Sequence, residues 1–342
     1  MKWRIFISAI LFAPVISEAQ APQFAIVRPD GTTYICPTWD SAYNKAVNGD
    51  NIYLPGVIIP GYMYIDKNIN IYGAGHHPDS CTITGKTTID HVVLKSNASG
   101  GSIEGLNIVG NFYLNYTNRR INNYTVKRCR FSALQDGVNL QNIDSFYTNI
   151  YITECVFNTA DLVKCTNFTI SKNLILNYIA SPKNCLIKNN SFLSAANPFY
   201  NAISNCNVEN NIFLYDLSLS STVYCSNNFY NNLKVGINPI FISCQNQGVE
   251  VSTQTVNNIN EIFISYNTFG TGFPYLDNYH LKPTCPGINA GTDGTDVGIY
   301  GTSSPTSQGW VPSNPHIYFK QVAQQTNNSG QLQIQFKVRT NN

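Results

Sequence analysis

Residues 186–192 read LIKNNSF and residues 207–213 read NVENNIF, and the superposition of these two stretches decides the fold. Each carries an aliphatic residue second, paired asparagines fourth and fifth, and phenylalanine seventh. Five further stretches align with them: SIEGLNI from Ser102, TVKRCRF from Thr125, YITECVF from Tyr151, TISKNLI from Thr169 and YCSNNFY from Tyr224. The second position then reads Ile103, Val126, Ile152, Ile170, Ile187, Val208 and Cys225, in steps of 23, 26, 18, 17, 21 and 17 residues. The fifth reads Leu106, Cys129, Cys155, Asn173, Asn190, Asn211 and Asn228, and the seventh Ile108, Phe131, Phe157, Ile175, Phe192, Phe213 and Tyr230. Two places before the aliphatic column, from the second stretch on, stand Tyr124, Ile150, Phe168, Cys185, Cys206 and Val223.

A unit of variable length with constant apolar columns is what a parallel β-solenoid requires. Each strand pairs with its equivalent one coil away, at ~4.8 Å, and loops absorb the length differences. Like residues stack on like, which favours phenylalanine columns and asparagine ladders. An antiparallel sandwich can space its strands similarly, but it gives no reason for one residue type to recur at one offset.

The repeat also explains the length and composition. A compact core stops growing near ~250–300 residues, whereas a solenoid core lengthens coil by coil, so 342 residues fit a single domain. Charged residues make up only 12% of the chain, and 45 asparagines replace much of the missing charge. Asparagine prefers turns and left-handed backbone, which excludes a mainly helical protein. Eighteen Phe, 21 Tyr and 3 Trp at a net charge of +2 exclude disorder, and the near-neutral balance argues against a nucleic-acid partner.

The chain opens MKWRIFISAILFAPVISEAQ, with Lys2 and Arg4 before an apolar run from Ile5 to Ile16. This pattern predicts a secretory signal peptide over residues 1–19 with cleavage before Gln20, because the run is too short to span a membrane. Removing it takes 2 of 21 basic and 1 of 19 acidic residues, leaving 19 and 18. No transmembrane span is predicted in the mature chain. All 10 cysteines follow Gln20 without a CxxC pair, so zinc and thioredoxin-like motifs are excluded. Cys129 and Cys155 share one column and Cys185 and Cys206 another, which predicts inward stacks of free thiols at a spacing where disulfides are geometrically open.

The NN-x-F coils, DKNINIYGAGHHPDS at residues 66–80 and YHLKPTCPGINAGTDGTDVGIYG at residues 279–301 resemble the exported bacterial right-handed parallel β-helix proteins of the pectin-lyase-like superfamily. The resemblance covers most of the mature chain and implies a right-handed β-helix with three sheets per coil. Its motifs mark the fold and its last coils, not a catalytic site. The expected organisation is a signal peptide over 1–19, a β-helix over 20–301, and a linker with a hairpin tail over 302–342. In TWDSAYNKAVNGDNIYLPG, Thr38 is the expected N-cap of a lid helix, with Ala42, Tyr43, Ala46 and Val47 on its apolar face and Gly49 as its stop. Residues 301–315 read as a linker, and PHIYFKQV and QLQIQFKV flank NNSG as a hairpin.

Placed on the columns, opposite charges fall on neighbouring coils: Glu104 with Lys127, Arg128 with Glu154 and Lys172, and Lys188 with Glu209. Such pairs favour correct register, each by roughly 0.2–1 kcal/mol. The lyases and glycosidases of the superfamily use carboxylate clusters for calcium or paired aspartates, and no such motif stands here. Neither a metal site nor a cofactor is predicted. His76 and His77 fall in a fold-marking turn and read as structural, and DGTD at 293–296 reads as a turn near the last coil.

The two long insertions between Ile108 and Tyr124 and between Phe131 and Ile150 lie on successive coils. Their loops would gather Tyr113, Tyr116, Arg119, Arg120, Asp136, Asp144 and Tyr147, a set suited to sugar rings through aromatic faces and to acidic sugars through arginine. The function expected is therefore an exported β-helix that binds a polysaccharide or cell-surface glycan without a recognisable catalytic motif. Two alternatives stand beside it: a polysaccharide lyase or glycoside hydrolase with a non-standard site, and a structural or adhesive surface protein attached through its hairpin.

Overall fold

A computed structural model describes residues 22–114, 120–136, 147–220 except 195, 202 and 218, 227–242, and 248–339 except 268–272, 274, 307, 314 and 324. The predicted signal peptide lies outside the described residues. The rest is a parallel β-solenoid of about eight turns, with one helix and a C-terminal antiparallel hairpin. Among the described residues no helix is long and apolar enough to cross a membrane.

The aliphatic column is the spine of the first sheet. Register runs Ile52, Ile71, Ile103, Val126, Ile152, Ile170, Ile187, Val208 and Phe229. Phe229 corrects the alignment of the last coil, where Cys225 was expected. The stretch SNNFYNN offers two asparagine pairs four residues apart, and the fold uses Asn231–Asn232. Where the resemblance implies three sheets per coil, the described coils carry two large parallel sheets and a small third, Leu219–Ser220 with Phe241–Ile242. Each long strand of the second sheet bends: Leu174–Ala180 pairs with Ser191–Phe192 at one end and with Phe199–Tyr200 at the other. One sheet thus supplies two faces of the coil. Its phenylalanines stack as expected, Phe131 on Phe157 at 5.1 Å and Phe192 on Phe213 at 4.8 Å.

The fifth position forms a buried ladder of hydrogen bonds. Cys129 N donates to Cys155 Sγ, Cys155 N to Asn173 Oδ1, Asn173 N to Asn190 Oδ1, Asn190 N to Asn211 Oδ1 and Asn211 N to Asn232 Oδ1, the last four at 2.8–3.0 Å. The asparagine amides donate to backbone carbonyls as well, Asn190 Nδ2 to Ile170 O and Asn232 Nδ2 to Val208 O. A second ladder runs from Cys185 N to Cys206 Sγ and from Cys206 N to Asn227 Oδ1. No disulfide joins the cysteines of the described residues. Burial raises the Cys155 thiol well above its ordinary value.

Between the two large sheets the chain turns through a left-handed residue in the coils from Gly105 on. Arg128, Glu154, Lys172, Asn189, Asn210 and Asn231 have φ between 48° and 57°, a region asparagine tolerates better than most residues. The charged members are fixed by one another: Arg128 Nε lies 2.7 Å from Glu154 Oε2, and its Nη1 3.2 Å from Glu104 Oε1. The expected Arg128–Glu154 pair is therefore present. Glu104 and Lys127 are register partners as expected, but the Glu104 carboxylate is bound by Arg128 and Lys127 reaches Glu154 at 3.7 Å.

The lid helix spans Trp39–Lys45 with the expected Thr38 cap, which Ser41 completes. Ala42 and Ala46 are buried, but Val47 is half-exposed and the helix ends before Gly49, because Ala46 already turns extended.

From Gly287 to Ser313 the chain runs back along the left-handed corners as a strap. Asn231 Nδ2 donates to Ala290 O, Asn210 exchanges bonds with Thr292, and Gly298 N donates to Asn210 O. Further on, Lys172 Nζ donates to Ser304 O, and Ser313 donates through N and Oγ to the Glu104 carboxylate, both at 2.7 Å. Gly105 accommodates it: a Cβ there would lie 2.5 Å from Pro312 Cγ. Residues predicted as a linker are thus docked as far as Ser313. The hairpin His316–Val322 with Ile334–Arg339 follows, exposing Ile334, Phe336 and Val338.

Two outcomes are expected. Asn190→Ala strands the buried Asn173 N–H and Ile170 carbonyl, so it should cost at least about 2 kcal/mol in urea unfolding, given about 1–3 kcal/mol per orphaned group. Asn228→Ala, on the exposed side, should stay within about 0.5 kcal/mol of the parent. In thiol titration without reductant, Cys129, Cys155, Cys185 and Cys206 should be silent in the native protein and react fully once it is unfolded.

Candidate functional site

Of the predicted ligand residues, Tyr113 and Asp136 lie on paired neighbouring strands, Phe112–Leu114 and Arg130–Asp136. Tyr116, Arg119 and Asp144 lie outside the described residues. Arg120 is exposed ahead of strand Asn122–Lys127. Asp136 ends strand Arg130–Asp136 in register with Leu114. Tyr147 is removed from the set: it opens strand Tyr147–Thr153 and is 1% exposed inside the core. Tyr113 sits on the outer side of the bent sheet, where its hydroxyl accepts from Asn111 Nδ2 and its ring lies 5.9 Å from His91. His91 stacks on Tyr62 at 4.6 Å. On this outer face Tyr62 and Tyr64 are half-exposed and Tyr113 is buried.

A cleft of about 610 Å³ opens elsewhere, where three distant segments meet. The turn of residues 73–85 supplies His77, Asp79 and Ser80; the chain around strand Asn278–Leu281 supplies Tyr275, Leu276, Asp277, Asn278 and His280; the strap supplies Tyr300, Gly309 and Trp310. Each wall has a local cause. Ser80 Oγ donates to Gly309 O at 2.6 Å and ties the strap to the turn. Asp277 accepts from Asn267 N and Nδ2, which fixes the far wall.

The rings stand at different angles. His77 is stacked with Trp310 at 5.9 Å and set edgewise to Tyr275 at 4.9 Å, while His280 lies flat on Tyr300 at 3.8 Å. Gly309 and Trp310 are both left-handed, at φ 74° and 46°. A tryptophan held in that region stores strain that the surrounding contacts must offset. Trp310 is almost fully buried, and its Nε1 has no hydrogen-bond partner among the described residues.

His77 Nδ1 accepts from Asp79 N at 3.2 Å, and burial lowers the pKa of this histidine. Behind it, His76 is wholly buried with Nδ1 3.3 Å from the Tyr275 hydroxyl, and burial, aided by His77, holds its pKa well below the usual histidine range. Burial raises Tyr275 and Tyr300. The structural reading of the histidine pair thus fits His76, whereas His77 is part of the wall. Sequence reasoning missed the cleft because its segments lie some two hundred residues apart and Trp310 falls in a stretch that reads as a linker. A doubled histidine and a lone tryptophan were its only signals.

Among the described residues no group of three or more His, Cys, Asp or Glu could hold a metal ion. No protein-family model, no curated protein and no solved structure matches the chain.

The buried His76 makes stability depend on pH. Its folded pKa is depressed, so below the unfolded value near ~6.5 the unfolded chain takes up a proton that the folded chain refuses. Stability is retained above that value and lost as pH falls, by up to about 1.4 kcal/mol per unit of pH from this group. Urea midpoints at pH 5 and pH 7 should differ less in His76→Gln than in the parent.

Proposed function

We propose that the protein is an exported, right-handed β-helix of the pectin-lyase-like kind that binds glycans, and that the cleft at the strap receives the sugar. Trp310 carries this reading: an indole held in a left-handed backbone conformation lines the cleft, and its buried N–H, without a partner among the described residues, would meet a sugar hydroxyl once the strap yields around it. The volume falls within the ~300–1,000 Å³ of small-molecule sites. Tyr275, Tyr300 and His280 offer apolar ring faces beside Asp79, Ser80, Asp277 and Asn278, the mixture that pyranose rings require. The outer face of Tyr62, Tyr64, His91 and Tyr113 supports a role beside it, as a surface over which a longer chain is laid.

The residue chemistry also supports a second reading, hydrolysis or elimination at the same cleft, because neutral His77 lies beside the Asp79 carboxylate. Retention of plant, algal and host glycans by the immobilised protein, assayed together with new reducing or unsaturated ends, separates the two. Retention without cleavage is expected, weakened about tenfold, or 1.4 kcal/mol, in Trp310→Ala with the circular dichroism spectrum unchanged. Cleavage lost in His77→Gln or Asp79→Asn would favour the enzyme instead.

A further inference from the structure

Arg119 and Arg120 of the predicted loops suit acidic sugars, but the charges of the cleft oppose them. We infer that this cleft selects an uncharged sugar residue and rejects uronates and sulfated sugars, an inference that rests on the cleft being a glycan site. The charged residues among its described lining are Asp79 and Asp277, both acidic. The residues adjoining it in sequence at 268–272, 274, 307 and 314 include no charged side chain. His77 adds no positive charge at neutral pH, since burial lowers its pKa.

Two cations stand nearby, and both are turned to a ring. Lys86 Nζ lies 5.3 Å and the Arg130 guanidinium 6.0 Å from the centre of Tyr275. Neither is among the residues that line the cleft. Asp79 is exposed, and its carboxylate makes no hydrogen bond or ion pair within the described residues. Asp277 keeps acceptor capacity beyond the two bonds from Asn267.

An ionised carboxylate only accepts hydrogen bonds, so it is served by sugar hydroxyls and repelled by a ligand carboxylate or sulfate. Repulsion at such short range is little screened by salt. Indole and phenol faces bind the C–H faces of either sugar class, so the rings supply affinity and the two carboxylates supply the choice.

Affinity electrophoresis of the full chain tests this, with β-glucan, galactomannan and hydroxyethylcellulose as neutral gels and polygalacturonate, alginate and chondroitin sulfate as acidic ones. Retardation is expected in at least one neutral gel and in none of the acidic gels, and Trp310→Ala should weaken it about tenfold. Asp79→Asn alone, and more strongly Asp79→Asn with Asp277→Asn, should gain at least threefold retardation in polygalacturonate at low salt. Trp310-dependent retardation of the parent in an acidic gel overturns the inference and leaves the glycan reading standing. Unchanged behaviour of both asparagine variants in polygalacturonate also overturns it. Retardation in no gel removes the glycan reading itself.

Discussion

From Cys155 to Asn232 the coils depend on a side-chain acceptor offered by each to a backbone N–H of the coil before it. Parallel strand pairing fixes the ~4.8 Å spacing of coils, but it satisfies only the strands. At the corners the backbone leaves the sheets while still buried, and an unpaired N–H there is costly. Asn173, Asn190, Asn211 and Asn232 meet that demand in turn, each accepting from the coil before it and donating its amide to a further carbonyl. Cys155 substitutes a sulfur acceptor for the same role. A continuous ladder polarises along its length and ties register to one residue type per coil.

The same corners determine where a site can form. Because each ladder residue follows a left-handed residue, the outer side of the corner presents Asn189, Asn210 and Asn231 amides in a row, and the strap hydrogen-bonds to them. At the far end the row turns to charge, and the buried Glu104–Arg128–Glu154 group receives Ser313. A buried ion group of this kind is a poor source of stability but a strong constraint on geometry, since removing one member leaves a stranded charge. Its effect is to hold Gly309 and Trp310 against Ser80 and His77, which makes the cleft.

The columns were legible in sequence because a solenoid repeats its physics. Ile187 and Val208 stand in register as the two quoted stretches imply, and the phenylalanines stack where the seventh position puts them. The last coil misled because two asparagine pairs four residues apart satisfy the pattern equally, and only burial distinguishes Asn232 from Asn228. The strap was illegible for a different reason. Its residues pair with side chains of corners 59 to 209 positions away, so composition showed small polar residues and nothing of their partners. The site followed the strap: the loops that looked like a sugar surface contribute Tyr113 to the outer face, whereas the concave surface is built from the turn, the last antiparallel pair and Trp310.

The central claim is that Trp310 receives a sugar ring, and intrinsic fluorescence addresses it most directly because the chain has only three tryptophans, Trp3, Trp39 and Trp310. Titration of the protein lacking residues 1–19 with a neutral oligosaccharide released from the retaining polysaccharide should give a saturable change that survives Trp39→Phe and disappears in Trp310→Phe. A change that persists without Trp310, or follows Trp39, would contradict the account.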